Sequence, residues 1–400
     1  MEMKVTDSRY DFRPVHAAMQ RYVGENVLAG VCSAVLVGRD LVDLQCIGWA
    51  DKEARTPLCA DHIFRVFSNT KLITSCAALR LFEEGHFQLD DPIERFIPQL
   101  ANRRVLLPNA ISLDQTEPAA RPITIRHLMS HSSGLSYGLF GPGTIIFQAY
   151  NARKVRNPAT TLAEMVDVLA DLPLVFHPGT SWEYSVATDV MARLIEVISG
   201  QRFDAFIQSR ILGPLGMVDT GFVVPDNHRH RLVAYYAGAD LIDPMKPGLT
   251  RTDDAPYPGA YLHPVPRLSG GGGLVSTLPD MVALIRSLLP GGATLLKPAT
   301  IALLMTNQLP KGAWIRFPNV GELRGKGFGL AGALILKPST FDHHDARGEL
   351  YWGGAAGTQW WISPERRISG LMMAQRQMAF DHPFASEFKR LAYEAVRPTR

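Results

Sequence analysis

An α/β (α+β) fold, with one antiparallel sheet flanked by helices, built from both chain ends and interrupted by a mainly helical insertion, is predicted by three observations. Apolar Val- and Leu-rich segments with tight polar breaks occupy the first 95 residues. Similar segments return after residue 266. Between them the chain carries Pro/Gly-rich loops and helical spacings instead. Segregated strand and helix runs are satisfied by pairing residues 1–95 with 266–400 in one sheet domain. Residues 96–265 then form a second, mainly helical domain, with the candidate site between the two.

In chain order, residues 11–25 are amphipathic and predict a helix starting at Asp11. Gly30–Val37 and Leu41–Trp49, split by Gly38-Arg39-Asp40, predict a β-hairpin. Over residues 68–84, Leu72, Ile73, Cys76, Leu79 and Phe82 fall at helical spacing until Glu83-Glu84-Gly85. The insertion predicts helices near Ile125–His131, Leu162–Leu172 and Thr188–Ser199, the last closed by Gly200. Strand signals follow at Gly327–Leu336, Glu349–Gly353, Gly357–Ile362 and Ile368–Ala374, then a helix through Phe384–Val396.

Composition narrows the function. Among 400 residues, 41 Lys+Arg face 38 Asp+Glu, and a net charge of +3 with no basic block excludes a nucleic-acid partner. The longest apolar stretch, Leu28 to Gly38, is far short of the roughly 20 residues of a membrane span, so no membrane partner is expected. Met1-Glu2-Met3-Lys4 begins no apolar leader, which predicts a cytoplasmic protein. Cys32, Cys46, Cys59 and Cys76 show no CxxC and are expected to be reduced thiols.

Several motifs mislead. Gly134-Leu135-Ser136-Tyr137-Gly138 matches the GxSxG elbow, but that elbow needs a strand entering and a helix leaving. Here a helical pattern enters and Leu139-Phe140-Gly141-Pro142 leaves, so a structured loop is expected. His127 and His131 stand at i and i+4 without the Glu of HExxH, which favours packing or capping over zinc. His343-His344-Asp345 reads as a solvated turn. Gly270–Gly273 lacks the ending of a phosphate loop and reads as a backbone turn. No metal and no cofactor is implied.

Ser68-Asn69-Thr70-Lys71 carries chemistry. Three residues apart on one helix face, the Ser oxygen and Lys nitrogen meet, and the helix start offers N–H donors and a positive field to an oxyanion. Desolvation lets a buried lysine lose its proton and act as a base. With 20 Ser and 10 Lys, chance predicts about half an SxxK match, and the chain has two. Ser386-Glu387-Phe388-Lys389 lies inside the final helix without oxyanion donors and reads as surface helix.

The landmarks around Ser68 resemble the serine β-lactamase and penicillin-binding protein superfamily, and within it the esterases with a class C β-lactamase fold (family VIII carboxylesterases). The resemblance rests on the ordered set Phe64–Lys71, Leu89-Asp90-Asp91-Pro92-Ile93, Ile123–Leu135, Pro178-Gly179 with Tyr184-Ser185, and Gly270–Gly273 with Leu274-Val275-Ser276-Thr277. It implies that Ser68 is the acylated nucleophile, Lys71 takes up its proton, and Tyr184 assists as phenolate or relay. A Lys cation beside a Tyr lowers the phenol's pKa, so the pair is expected to replace a triad histidine. Trp352-Gly353-Gly354-Ala355 stands where the lactamases have Lys-Thr-Gly, as in the esterase branch. The resemblance thus implies an oxyanion hole from the backbone N–H groups of Ser68 and Ala355, with Trp352, Gly353 and Gly354 lining the substrate.

Two departures point to the substrate. Trp352 replaces the cation that would hold a β-lactam carboxylate, and Val186 stands where the lactamases have Asn. A site with neither should discriminate poorly in favour of anionic amide substrates and tolerate neutral esters. Tyr137, Phe140, Trp360 and Trp361 are candidates for an apolar acyl pocket. The expectation is a serine carboxylesterase acting on a small-molecule ester of short to medium acyl length. Acyl transfer and β-lactamase or D-amino-acid peptidase activity are the alternatives, and a catalytically inactive binding protein is a remote one.

Overall fold

In the computed structural model, which describes residues 5–240, 243–318, 320–379 and 382–396, alternation along one strand explains the layering. In Gly30–Val37, Val31 and Val35 point into one apolar core, whereas Cys32, Ala34 and Leu36 point into another. A strand apolar on both faces must be covered on both, so the sheet lies between two helical layers.

The sheet is antiparallel throughout. Its order is Val5–Thr6, Asp40–Asp51, Gly30–Val37, Ile368–Ala374, Thr358–Ser363, Leu350–Gly354, Ala333–Ile335 and Lys326–Phe328, with Thr56–Pro57 also pairing with Asp40–Asp51. Both chain ends therefore contribute, joined where Ala34 opposes Leu371. Helices Arg13–Gly24 and Pro383–Ala395 cover one face through Val15, Met19, Phe384 and Phe388. The other face meets helices Thr70–Glu83 and Leu278–Arg286. Beyond them stand Ile125–Met129, Leu162–Ala170 and Ala187–Ser199, the last ended by Gly200 at φ 67°. Between Leu232 and Arg251 the chain returns to the sheet side, where the Tyr236 N–H donates to the Gln375 carbonyl at 3.0 Å.

Four expectations are corrected. Gly327–Leu336 is not one strand: the Gly329 N–H donates to the Gly332 carbonyl and folds the segment into two short strands. Cys32 and Cys46 are not free thiols. They sit directly opposite on neighbouring strands, Cα atoms 4.2 Å apart, and form a disulfide, whereas Cys59 and Cys76 are free. His343 is not solvated; it is buried and stacks on Tyr393 with centroids 4.8 Å apart. Trp360 and Trp361 are not at a pocket surface: they are 1% and 2% exposed, one in each core. The N-terminal residues 1–4 behind the cytoplasmic expectation lie outside the described residues. No helix among the described residues is long and apolar enough to cross a membrane.

Candidate active site

Ser68 lies on a single turn, Phe67–Asn69, that runs into helix Thr70–Glu83. Phe67 holds φ 42°, a left-handed conformation unusual for a bulky side chain. Its ring is braced by Tyr235 and Tyr261, with centroids at 5.8 and 6.3 Å. Strain kept in place by packing is typical of functional turns. Three residues on, Lys71 returns to the same helix face and its Nζ lies 3.3 Å from Ser68 Oγ.

The second partner of Lys71 comes from the glycine run. Thr74 Oγ1 donates to the Gly270 carbonyl at 2.7 Å, and Thr70 Oγ1 accepts from the Leu274 N–H at 3.2 Å. These clips bring the Gly271 carbonyl to 2.6 Å from Lys71 Nζ. A side chain at Gly271 would put its Cβ 2.7 Å from Asp189 Oδ2, so any other residue would have to displace that carboxylate. The run read as a plain backbone turn thus supplies an acceptor to the site. The Thr70 and Thr74 hydroxyls, one helical turn apart, were its available signal.

Tyr184 enters from a separate segment, just ahead of helix Ala187–Ser199. The Glu183 N–H donates to the His131 carbonyl at 3.0 Å and the Val186 N–H to the Ser136 carbonyl at 3.1 Å. These bonds fix the segment ahead of helix Ala187–Ser199, and Tyr184 OH donates to Ser68 Oγ at 2.6 Å. Behind it, buried His131 packs 5.0 Å from the Tyr184 ring and accepts at Nδ1 from the Ser185 N–H. Burial, aided by Lys71, holds His131 well below its ordinary pKa and therefore neutral.

Electrostatics separate the two partners of Ser68. Burial pushes Lys71 below the ordinary lysine range, and Tyr137 and Asp189 only partly oppose this. Asp189 is itself engaged by Ser269 Oγ at 2.6 Å. Burial drives Tyr184 upward, outweighing its hydrogen bonds with Ser68 and Trp352. The expected lowering of the Tyr184 phenol by the lysine is thus reversed: desolvation of the phenolate wins. Burial thus disfavours both charged forms, the Lys71 ammonium and the Tyr184 phenolate.

The strand Leu350–Gly354 forms the opposite wall. Gly354 lies against the Val66 carbonyl and Thr358 Oγ1, where any Cβ would collide with both. Thr358 Oγ1 also donates to the Val66 carbonyl at 3.2 Å, so the strand end abuts the Ser68 turn, with Ala355 next in sequence. Trp352 is half-buried, its ring 5.3 Å from that of Tyr184 and its Nε1–H 3.4 Å from the Tyr184 oxygen. Tyr137 stacks on Tyr184 at 5.4 Å and 11°, and Phe140 approaches it to 6.0 Å. Gly353 lies half-buried on the same strand. Val186 is fully buried and offers this wall nothing polar.

The other motifs are occupied elsewhere. Ser136 is buried in a loop and donates to Glu183 Oε1 at 2.5 Å. His127 completes a capping box with Thr124, and burial lowers its pKa to about 4. Two groups of three potential metal-ligating side chains occur among the described residues, Cys59/Asp61/His62 and His343/His344/Asp345; neither includes His127 or His131.

Comparison with known proteins agrees with this architecture. The beta-lactamase family matches residues 15–394. Esterase EstB of Burkholderia gladioli is 30% identical over 370 residues, covering 89% of this chain and 88% of its own. A lovastatin esterase of Penicillium rubens is 31% identical over 354 residues, covering 84% of this chain and 85% of its own. Among solved structures, EstCE1, a hydrolase with promiscuous acyltransferase activity, superimposes with a TM-score of 0.79 at 24% identity, over 95% of this chain and 98% of that one. The match along nearly the whole chain, with relatives at 30% identity and above, shows that this protein belongs to the beta-lactamase family and is a serine hydrolase of its esterase-like branch.

Proposed function

We propose that the protein is a carboxylesterase that hydrolyses short-to-medium acyl esters through an acyl-enzyme on Ser68. The observation that carries this reading is the convergence on one half-exposed Oγ of a lysine at 3.3 Å and a tyrosine hydroxyl at 2.6 Å. Neutral Lys71 takes the Ser68 proton as Oγ attacks the ester carbonyl. The developing oxyanion is held by the backbone N–H groups of Ser68 and Ala355, each donor worth about 3 kcal/mol. Tyr184, a protonated phenol beside the nucleophile, passes its proton to the departing alkoxide, and the resulting phenolate takes back the proton that Lys71 removed from Ser68. Water then cleaves the acyl-enzyme, with the same groups working in reverse.

Trp352 and Val186 support esters over β-lactams, since a cation and an amide are replaced by an indole and a buried aliphatic group. Removing a polar recognition element costs an anionic substrate far more than a neutral one. Hydrolysis of p-nitrophenyl butyrate beside the chromogenic lactam nitrocefin, by the wild type and Ser68→Ala, tests the reading. Ester turnover that vanishes in the variant, with slow lactam turnover, is expected. Equal lactam turnover would overturn the substrate assignment, and unchanged turnover in Ser68→Ala would overturn the nucleophile.

Acyl transfer is the second reading. A similar structure is described as a hydrolase with promiscuous acyltransferase activity, and water and an alcohol compete for the same acyl-enzyme. Analysis of products with an added alcohol acceptor separates the two.

A further inference from the structure

Two loops that carry none of Ser68, Lys71 or Tyr184 meet beside the Tyr184 ring. The first runs from Gly138 to Thr144. Its start is held by Asn151 Nδ2 on the Gly138 carbonyl at 2.9 Å, and its end by the Thr144 N–H and Oγ1 on the Gly141 carbonyl at 3.0 and 2.9 Å. The second is a short hairpin pairing Arg316–Phe317 with Gly321–Glu322. Its foot is tied to the sheet side, where the Ile315 N–H donates to the Lys326 carbonyl at 3.1 Å. Phe140 and Phe317 meet across the gap edge to face, with centroids 5.6 Å apart and planes at 68°. Phe317 also reaches Trp182 at 5.4 Å and Tyr184 at 6.3 Å.

Both phenylalanines are half-buried, and Leu139 and Val320 beside them expose 38% and 62% of their surface. Apolar surface is therefore left open where two separately anchored loops join. One ring from each loop closes the aromatic wall that begins at Tyr137.

We propose that Phe140 and Phe317 form the end wall of the acyl pocket, and that Phe317 sets the length of acyl chain accepted on Ser68. Phe317 is a specificity residue outside the catalytic group. It determines how many methylenes fit between the nucleophile and the hairpin, and shortening it opens the pocket toward Val320. The proposal rests on the ester reading given above.

The test is the kcat/KM profile over p-nitrophenyl acetate, butyrate, hexanoate and octanoate. In Phe317→Ala the octanoate-to-acetate ratio is expected to rise about tenfold, the discrimination that one or two methylenes carry in an apolar pocket. Phe140→Ala raises the same ratio, and Phe317→Trp lowers it, so the sign reverses with side-chain size. An unchanged ratio in all three variants, or a uniform loss at every length, would overturn the proposal. Labelling with p-nitrophenyl alkylphosphonates of the same chain lengths, read by intact mass, keeps the two readings apart. Labelling of the wild type but not of Ser68→Ala, with one length profile in every Phe317 variant, refutes the end wall alone. Absence of Ser68-dependent labelling and turnover refutes the ester reading and takes the end wall with it.

Discussion

The chain writes Ser-x-x-Lys twice, and the two copies sit in opposite surroundings. At Ser68 the lysine is buried against neutral acceptors, Ser68 Oγ and the Gly271 carbonyl, and burial pulls its pKa down. At Ser386 the lysine is ion-paired: Lys389 Nζ donates to Glu349 Oε1 at 2.6 Å, and Tyr393 OH holds the other oxygen of that buried carboxylate at 2.7 Å. Ser386 Oγ donates to the Pro383 carbonyl at 3.0 Å, closing the first helical turn. Identical spacing thus yields a candidate base in one place and a structural cation in the other. What separates them is whether a carboxylate reaches the lysine, which the motif itself does not encode.

The contrast is sharpest at the two serines. Ser68→Ala is expected to lower kcat by at least about a thousandfold, whereas Ser386→Ala leaves it unchanged. Steady-state turnover of p-nitrophenyl butyrate checks both, and loss in Ser386→Ala would break the comparison. Lys71→Ala and Tyr184→Phe come next, each expected to cost about two to four orders of magnitude in kcat with the circular dichroism spectrum retained. Near wild-type rates in either would remove that residue from the proton relay.

The pH dependence follows from the direction of the Lys71 shift. A base works in its deprotonated form, so kcat/KM should rise with pH through an apparent pKa below the ordinary lysine value of 10.5 and then level off. Tyr184, shifted upward, stays protonated across that range and adds no falling alkaline limb. A profile that instead falls as pH rises from neutrality would identify an ammonium-dependent mechanism and reverse the assignment. Lys389→Ala acts on the other side of the comparison. It strands the fully buried Glu349 carboxylate and should cost about 3 kcal/mol in urea unfolding, with kcat per folded molecule unchanged.

Much of this was legible in the chain because local periodicity carried it. The apolar run Gly30–Val37, the strand signal Ile368–Ala374 and the helical spacing after Ser68 each survive in the structure within a residue or two. The Ser68, Lys71 and Tyr184 assignments came from motif and resemblance, and their convergence needed contacts 116 residues apart. The missed features are all long-range. The Cys32–Cys46 pairing depends on hairpin register, the Gly271 carbonyl on two threonine clips, and Phe317 on two loops meeting. The phenol's direction was misjudged because spacing reveals a neighbouring charge but not the burial that outweighs it. Trp360 and Trp361 misled for the same reason, since strand aromatics look alike whether they face a core or a pocket.

Ser136 supplies the smallest expected effect and a third environment for a serine. Its hydroxyl donates to Glu183, whose carboxyl burial raises above the usual 4.5 while the Ser136 bond and Arg316 oppose the rise. Ser136→Ala should leave turnover within about twofold, because the hydroxyl touches no reacting group, and should cost about 1 kcal/mol of stability. That cost has a pH signature. Below 4.5 Glu183 is protonated in both the folded and unfolded chains, and little depends on the ionised form. As pH rises through the elevated folded value, the unfolded chain gives up its proton first, and the folded state loses stability relative to it. Removing the one hydroxyl that favours the carboxylate steepens that loss, so the penalty of Ser136→Ala should be larger at pH 8 than at pH 4. Urea midpoints of both proteins across this range measure it. A penalty that shrinks with rising pH would mean that Ser136 stabilises the neutral acid instead, and a loss of turnover matching that of Ser68→Ala would restore Ser136 as the nucleophile.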